Sequence, residues 1–171
     1  MRDPADAEAV RRFAAALGRV APDGTRLYLT GGATAVFEGW RATTMDVDLL
    51  IEPESDIVMR RLSELKNELG INVETASPLD FLPELPGWRD RCRSRFRTGS
   101  IEVFDFDPYS QALSKIERGF ELDRADVAAM LAGGLVKPER LRELHAEIED
   151  QLYRFPAVDP EALREKLDRA L

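Results

Sequence analysis

The chain has 171 residues, enough for one domain or for one core carrying a small helical annex. Hydrophobic residues make up 44% and charged residues 33%, which suits a packed core under a solvated surface; no apolar run approaches the ~20 residues that a membrane helix needs. The net charge of −8 repels polyanions at long range, so only a local basic patch could hold nucleic acid.

Asp3-Pro4 has the form of an N-cap and first helical residue, and Val10, Phe13, Ala14 and Leu17 follow on one helical face. Pro22-Asp23-Gly24 is a turn. Leu27 to Leu29 is a short strand running into Gly31-Gly32, and a short helix is expected from about Ala33 to Phe37. Val47 to Ile51 is an apolar strand ended by Pro53. Val58, Leu62, Leu65 and Leu69 make a second helical face that Gly70 closes. Ile71 to Thr75 is the next strand, and the proline-rich stretch after it allows one helical turn at most.

Residues 90–97 and 101–106 have the pattern of a hairpin around Thr98-Gly99-Ser100. Arg89, Arg91, Arg93, Arg95 and Arg97 recur with a period of two, which on a strand puts all five on one face. The ordinary reading of that face is a solvated edge strand; the functional one is a contact for an anionic acceptor. After Pro108 the pattern turns helical over 109–119, 122–132, 138–150 and 160–170. The organisation expected is a core at 1–108 and a helical part at 109–171 packed on it.

Cys92 and His145 are the only residues of their kinds, which excludes an internal disulfide and argues against a zinc site or a histidine-based triad. Met1-Arg2-Asp3-Pro4 lacks the apolar segment of a signal peptide, so a cytoplasmic location and no membrane partner are expected. The chemistry lies elsewhere. Asp46 and Asp48 would point to one side of a strand, because strand side chains alternate. Two like charges ~4 Å apart repel by ~4 kcal/mol at an effective dielectric of ~20, so something positive should offset them. Mg²⁺ favours hard oxygen ligands and often bridges carboxylates to substrate phosphates. Gly31-Gly32, placed between a strand and a helix, would let backbone approach a phosphate at a helix N-terminus.

Gly31-Gly32-Ala33-Thr34, followed through Arg41-Ala42-Thr43-Thr44-Met45 by Asp46-Val47-Asp48-Leu49-Leu50, resembles the signature of the polymerase-beta-like nucleotidyltransferases. That signature is Gly-Gly or Gly-Ser, a short spacer, then Asp–apolar–Asp or Glu, with a third acid on a later strand. Val73-Glu74-Thr75 occupies the third place, with Glu102, Asp105 and Asp107 as later rivals. The resemblance is closest to AbiEii-like minimal members, some of which are toxins of toxin–antitoxin pairs. Their downstream helix with Lys, then Arg and Asp, is matched by Lys115-Ile116-Glu117-Arg118 and Asp123-Arg124-Ala125-Asp126.

The resemblance implies an α+β fold: a small mixed β-sheet core with flanking helices, followed by a C-terminal helical segment. It also implies a metal-dependent enzyme that moves a nucleoside monophosphate from a nucleoside triphosphate to an RNA, protein or small-molecule acceptor. Asp46, Asp48 and Glu74 would be catalytic and would hold Mg²⁺ or Mn²⁺. Gly31, Gly32, Thr34 and Arg41 would bind nucleotide, with Thr34 serving because Ala33 stands where the family usually has a hydroxyl. Lys115 would contact the triphosphate, and Asp123 or Asp126 would position it or the acceptor. A cognate toxin or antitoxin is the implied protein partner. The competing expectation is the same fold kept as a non-catalytic module that acts by binding a partner protein.

Overall fold

The computed structural model describes residues 3–171, so Met1 and Arg2 of the N-terminal segment lie outside it. Among the described residues are eight α-helices and one five-stranded mixed sheet, an α+β fold as expected. No described helix is long and apolar enough to cross a membrane.

The chain divides into two compact units. The first runs to Ser77 and adds Arg93–Asp105; the second is Pro78–Cys92 with Phe106–Leu171. The proline-rich segment therefore groups with the helices that follow it in sequence.

The first unit holds helix α1 (Ala7–Gly18), strand β1 (Thr25–Leu29), helix α2 (Gly31–Glu38), strand β2 (Asp46–Glu52), helix α3 (Asp56–Glu68) and strands β3 (Asn72–Glu74), β4 (Arg93–Thr98) and β5 (Ile101–Asp105). The sheet order is β3-β2-β1-β5-β4. β1 runs antiparallel to β2 and parallel to β5, and β3 runs parallel to β2. Leu27, Leu29, Val47, Leu49, Ile51, Val73, Ile101 and Val103 bury one face of this sheet together with the apolar stripes of α1 and α3. The opposite face carries Asp46, Asp48 and Glu74, because the same alternation turns them away from that core.

Local signals set most boundaries, and the differences have tertiary causes. The first helix starts later than Asp3-Pro4: Asp6 is the cap, its Oδ1 accepting from Ala9 N at 2.7 Å. Asp3 and Ala5 are instead extended and paired, Asp3 N donating to Gly70 O and Ala5 exchanging backbone bonds with Thr44. Gly70, with φ +66°, follows α3 as expected.

The arginine run is not one strand face. Trp88–Arg91 is a short helix, α4, so Arg89 and Arg91 leave the ladder. A bulge between Ser94 and Phe96 then breaks the alternation. Arg93 pairs in register with Asp105, whereas Arg97 lies opposite Glu102. Arg93 and Arg95 both bind Glu38 and Asp105, while Arg89 and Arg97 are exposed. Burial pushes the Asp105 carboxyl above its ordinary range, against the pull of both guanidiniums.

The second unit holds α4, α5 (Pro108–Arg118), α6 (Glu121–Ala132), α7 (Pro138–Ile148) and α8 (Pro160–Ala170). The third helical stretch stops at Ile148 and continues as a 3₁₀ turn over Glu149–Arg154, two residues short of the α-helical end expected. Asp107 caps α5, accepting from Tyr109 N, Ser110 N and Ser110 Oγ, while Arg91 clamps it with two bonds of 2.9 and 2.8 Å. The Trp88 and Phe106 rings stack at 4.4 Å inside this unit. Burial pushes the Cys92 thiol up to about 12, which disfavours its thiolate.

Gly18, at the end of α1, tests this packing. Its carbonyl accepts from Ser100 N and Oγ, and a Cβ there would collide with the Thr98 carbonyl. Alanine gains about 1 kcal/mol of helix propensity over glycine, but overpacking against backbone costs about 1–3 kcal/mol. Gly18→Ala is expected to lower the urea midpoint at constant m-value; a raised midpoint would show that the β4–β5 turn yields freely.

Candidate active site

The site is built by two adjacencies in the first unit. The β2–β3 register pairs Asp46 with Asn72, Val47 with Val73 and Asp48 with Glu74. Asp48 and Glu74 are therefore direct cross-strand neighbours on the face away from the core, and Asp46 lies one strand period from Asp48 on the same face. Asp46 and Glu74 are exposed and Asp48 is half-buried.

Asn72 joins the group. Its Nδ2 donates to Asp46 Oδ1 at 2.6 Å and to Glu74 Oε1 at 3.1 Å, so a neutral amide links two carboxylates that would otherwise repel. The signal for Asn72 was present in the sequence as a second polar–Val–acid triplet, Asn72-Val73-Glu74, beside Asp46-Val47-Asp48. Only the register turns it into a contact.

The second adjacency is the entry into α2. Thr30 N donates to Asp48 O at 3.0 Å, tying the end of β1 to the second acid of the pair. Gly31 has φ +57°, and a Cβ on it would come within 2.9 Å of Asp48 Oδ2. Glycine is required there twice, for the left-handed backbone and for the approach to the carboxylate. At Gly32 a Cβ would collide with Thr44 Oγ1, and its next neighbour would be Arg41 Nη1 at 3.5 Å. Thr44 Oγ1 donates to Asp46 O at 2.8 Å, so the second glycine also abuts the element that carries the acids. Thr30, the N-cap of α2, makes no side-chain cap bond. The first turn of α2, where backbone N–H groups and the helix dipole favour an anion, thus opens beside Asp48 with Arg41 alongside.

The remaining residues singled out from the sequence have other surroundings. Thr34 is 2% exposed and its hydroxyl donates to Leu29 O at 3.2 Å. Glu102 lies opposite Arg26 at the far end of β1, and Asp105, opposite Leu29, is on the core face. Asp107 caps α5. The register therefore places Glu74, alone among these acids, beside Asp48.

Lys115, Asp123 and Asp126 form a buried cluster in the helical unit. Lys115 Nζ lies 2.7 Å from Asp126 Oδ2 and 3.7 Å from Asp123 Oδ1, and its side chain is 7% exposed. Arg118 holds Asp123 with bonds of 2.7 and 2.5 Å. Burial works to raise the Asp123 carboxyl, yet Arg118 and Lys115 hold it below the ordinary carboxylate range. Glu117, two residues on, is bound by Lys166 instead.

Against this geometry, residues 10–160 match the family model described as a nucleotidyltransferase of unknown function, DUF6036. The chain belongs to this nucleotidyltransferase family. No curated protein and no solved structure matches it significantly.

For a nucleotidyltransferase, the donor set on β2 and β3 fits a hard dication. It offers carboxylate oxygens, no sulfur and no imidazole. Among the described residues no three Asp, Glu, His or Cys side chains converge into a cage of their own. A Mg²⁺ ion at these acids would have to complete its shell with water and substrate phosphate.

Three outcomes follow. Gly32→Ala should displace Thr44 and with it Asp46, so nucleotide affinity should fall by about tenfold or more, ~1.4 kcal/mol, measured by calorimetry; unchanged affinity would separate the glycine from the acids. Lys115→Ala removes the cation paired with buried Asp126, so it should cost about 3–5 kcal/mol in denaturant unfolding. The depressed Asp123 carboxyl contributes stability at neutral pH that is lost as pH falls below its ordinary value near ~3.9. Asp123→Asn should accordingly flatten the acid limb of the stability profile, and an unaltered limb would remove Asp123 from that account.

Proposed function

We propose that this chain is a metal-dependent nucleotidyltransferase whose catalytic face is Asp46, Asp48 and Glu74. The observation that supports this most is the parallel β2–β3 register, which sets a third acid beside Asp48, itself next to Gly31 at the N-terminus of α2. Asp46 and Asp48 would hold Mg²⁺ or Mn²⁺, which would neutralise charge on the triphosphate. Glu74 would take the proton of the acceptor or add a second ligand, with Asn72 fixing its direction. The first turn of α2, at Gly31 and Gly32, would receive phosphate oxygens, and Arg41 would add a cation beside them.

The product of this arrangement is a nucleoside monophosphate bonded to the acceptor oxygen, with pyrophosphate as the leaving group. Thr34 acts in this scheme by holding the β1–α2 corner through Leu29 O rather than by touching phosphate. In this scheme Lys115 serves the helical unit, ion-paired with Asp126. The acceptor is RNA, a protein side chain or a small molecule, and a cognate toxin or antitoxin is the partner class the AbiEii-like resemblance suggests.

Pyrophosphate release tests the scheme. With Mg²⁺ or Mn²⁺ the protein should release pyrophosphate from a nucleoside triphosphate, and chelation should stop it. Asp46→Asn with Asp48→Asn, and separately Glu74→Gln, should each lower the rate by about a hundredfold or more, roughly 2.7 kcal/mol of barrier, at unchanged melting temperature. Glu102→Gln should remain near wild type. Persistence of release in the double variant, or its loss in Glu102→Gln alone, would overturn the assignment.

A further inference from the structure

Helices α5, α6 and α8 border a cleft of about 640 Å³ within the helical unit. That volume lies in the range of roughly 300–1,000 Å³ typical of small-molecule sites. Its walls follow helical spacing. Arg124, Val127, Ala128 and Leu131 stand at i, i+3, i+4 and i+7 on α6, and Lys166, Arg169 and Ala170 at i, i+3 and i+4 on α8. Two helix faces thus open onto one space.

The chemistry of the lining is one-sided. Every ionisable residue on it is a cation, namely Lys115, Arg118, Arg124, Lys166 and Arg169, in a chain of net charge −8. The carboxylates that bind three of them, Asp123, Asp126 and Glu117, are not part of the lining. Arg124 donates to Gly119 O and Arg169 to Glu165 O, carbonyl partners that leave the guanidinium charge in place. Capping of the last carbonyls of α5 accounts for Arg124 and for Lys166, which donates to Glu117 O. It accounts neither for Arg169 nor for the space itself. Beside the cleft, Arg118 lies over the ring of Phe120, which is 66% exposed at the α5–α6 corner.

We propose that this cleft binds a small amphiphilic anion, with an apolar body against Val127, Ala128 and Leu131 and a single anionic head among Arg124, Lys166 and Arg169. Aliphatic walls supply affinity in proportion to the area they cover, and the cations select the charged end. The site does not depend on nucleotidyl transfer at β2 and β3.

The probe is 8-anilinonaphthalene-1-sulfonate, an aromatic body with one sulfonate, set against N-phenyl-1-naphthylamine, the same body without it. Fluorescence titration of the full chain should give saturable binding at one site, weakened by salt, and about tenfold or more tighter for the sulfonate than for the neutral analogue. Ala128→Trp fills the cleft from an exposed position, and Arg124→Ala with Arg169→Ala removes its cations. Each should weaken the sulfonate about tenfold or more with unchanged circular dichroism. Asp46→Asn with Asp48→Asn should bind it as wild type does, which separates this site from the transferase face. Absence of saturable binding, equal affinity for the neutral analogue, or full affinity in Ala128→Trp would overturn the proposal. So would competitive displacement by magnesium–ATP, which would make the cleft the nucleotide's own.

Discussion

The parallel pairing of β2 with β3 is the constraint on which the candidate site depends. It spans three residue pairs, and its register decides whether Glu74 meets Asp48 or faces the core. A slip of one residue would bury Glu74 and expose Val73. The apolar residues Val47 and Val73 pair on the core side and hold the register, so the same short ladder that closes the core also assembles the acids. Asn72 completes it by donating to Asp46 and Glu74, which lessens the repulsion that a wholly acidic face would carry.

The glycines are explained by the same geometry. Gly31 and Gly32 are not merely a turn: one stands against Asp48 and the other against Thr44, so neither position has room for a side chain. The first turn of α2 and the acid-bearing strand are thereby brought together by backbone contacts, with Thr30 N bonded to Asp48 O between them. The clamp of Arg93 and Arg95 on Glu38 and Asp105 holds the other end of α2 to the sheet, which gives the helix a fixed direction.

Much of this was legible in the sequence because it is local. Apolar periodicity marked α1, α3 and the helices after Pro108, and the alternation in Asp46-Val47-Asp48 put both acids on one face. What was not legible depended on partners distant in sequence. Asp3-Pro4 looks like a helix start, but pairing of Ala5 with Thr44 keeps that segment extended. The arginine run alternates cleanly, yet a turn of helix at Trp88–Arg91 and a bulge after Ser94 divide it among three environments. Lys115 sits at the border of an apolar face, and only the packing of α5 on α6 shows that it is buried against Asp126. Asn72 stood in the sequence as part of the triplet Asn72-Val73-Glu74, but only the register made it a contact of Asp46 and Glu74.

The central claim is that the β2–β3 acids, with the first turn of α2, form one metal–nucleotide site. Electron paramagnetic resonance of Mn²⁺ addresses it without knowledge of the acceptor. The account predicts that a non-hydrolysable triphosphate and Mn²⁺ bind the wild-type chain together, with the free Mn²⁺ signal lost in proportion to protein. It predicts that Asp46→Asn with Asp48→Asn restores that signal at the same concentrations while the fold remains intact. Undiminished Mn²⁺ binding by the double variant would contradict it and place the metal elsewhere in the chain.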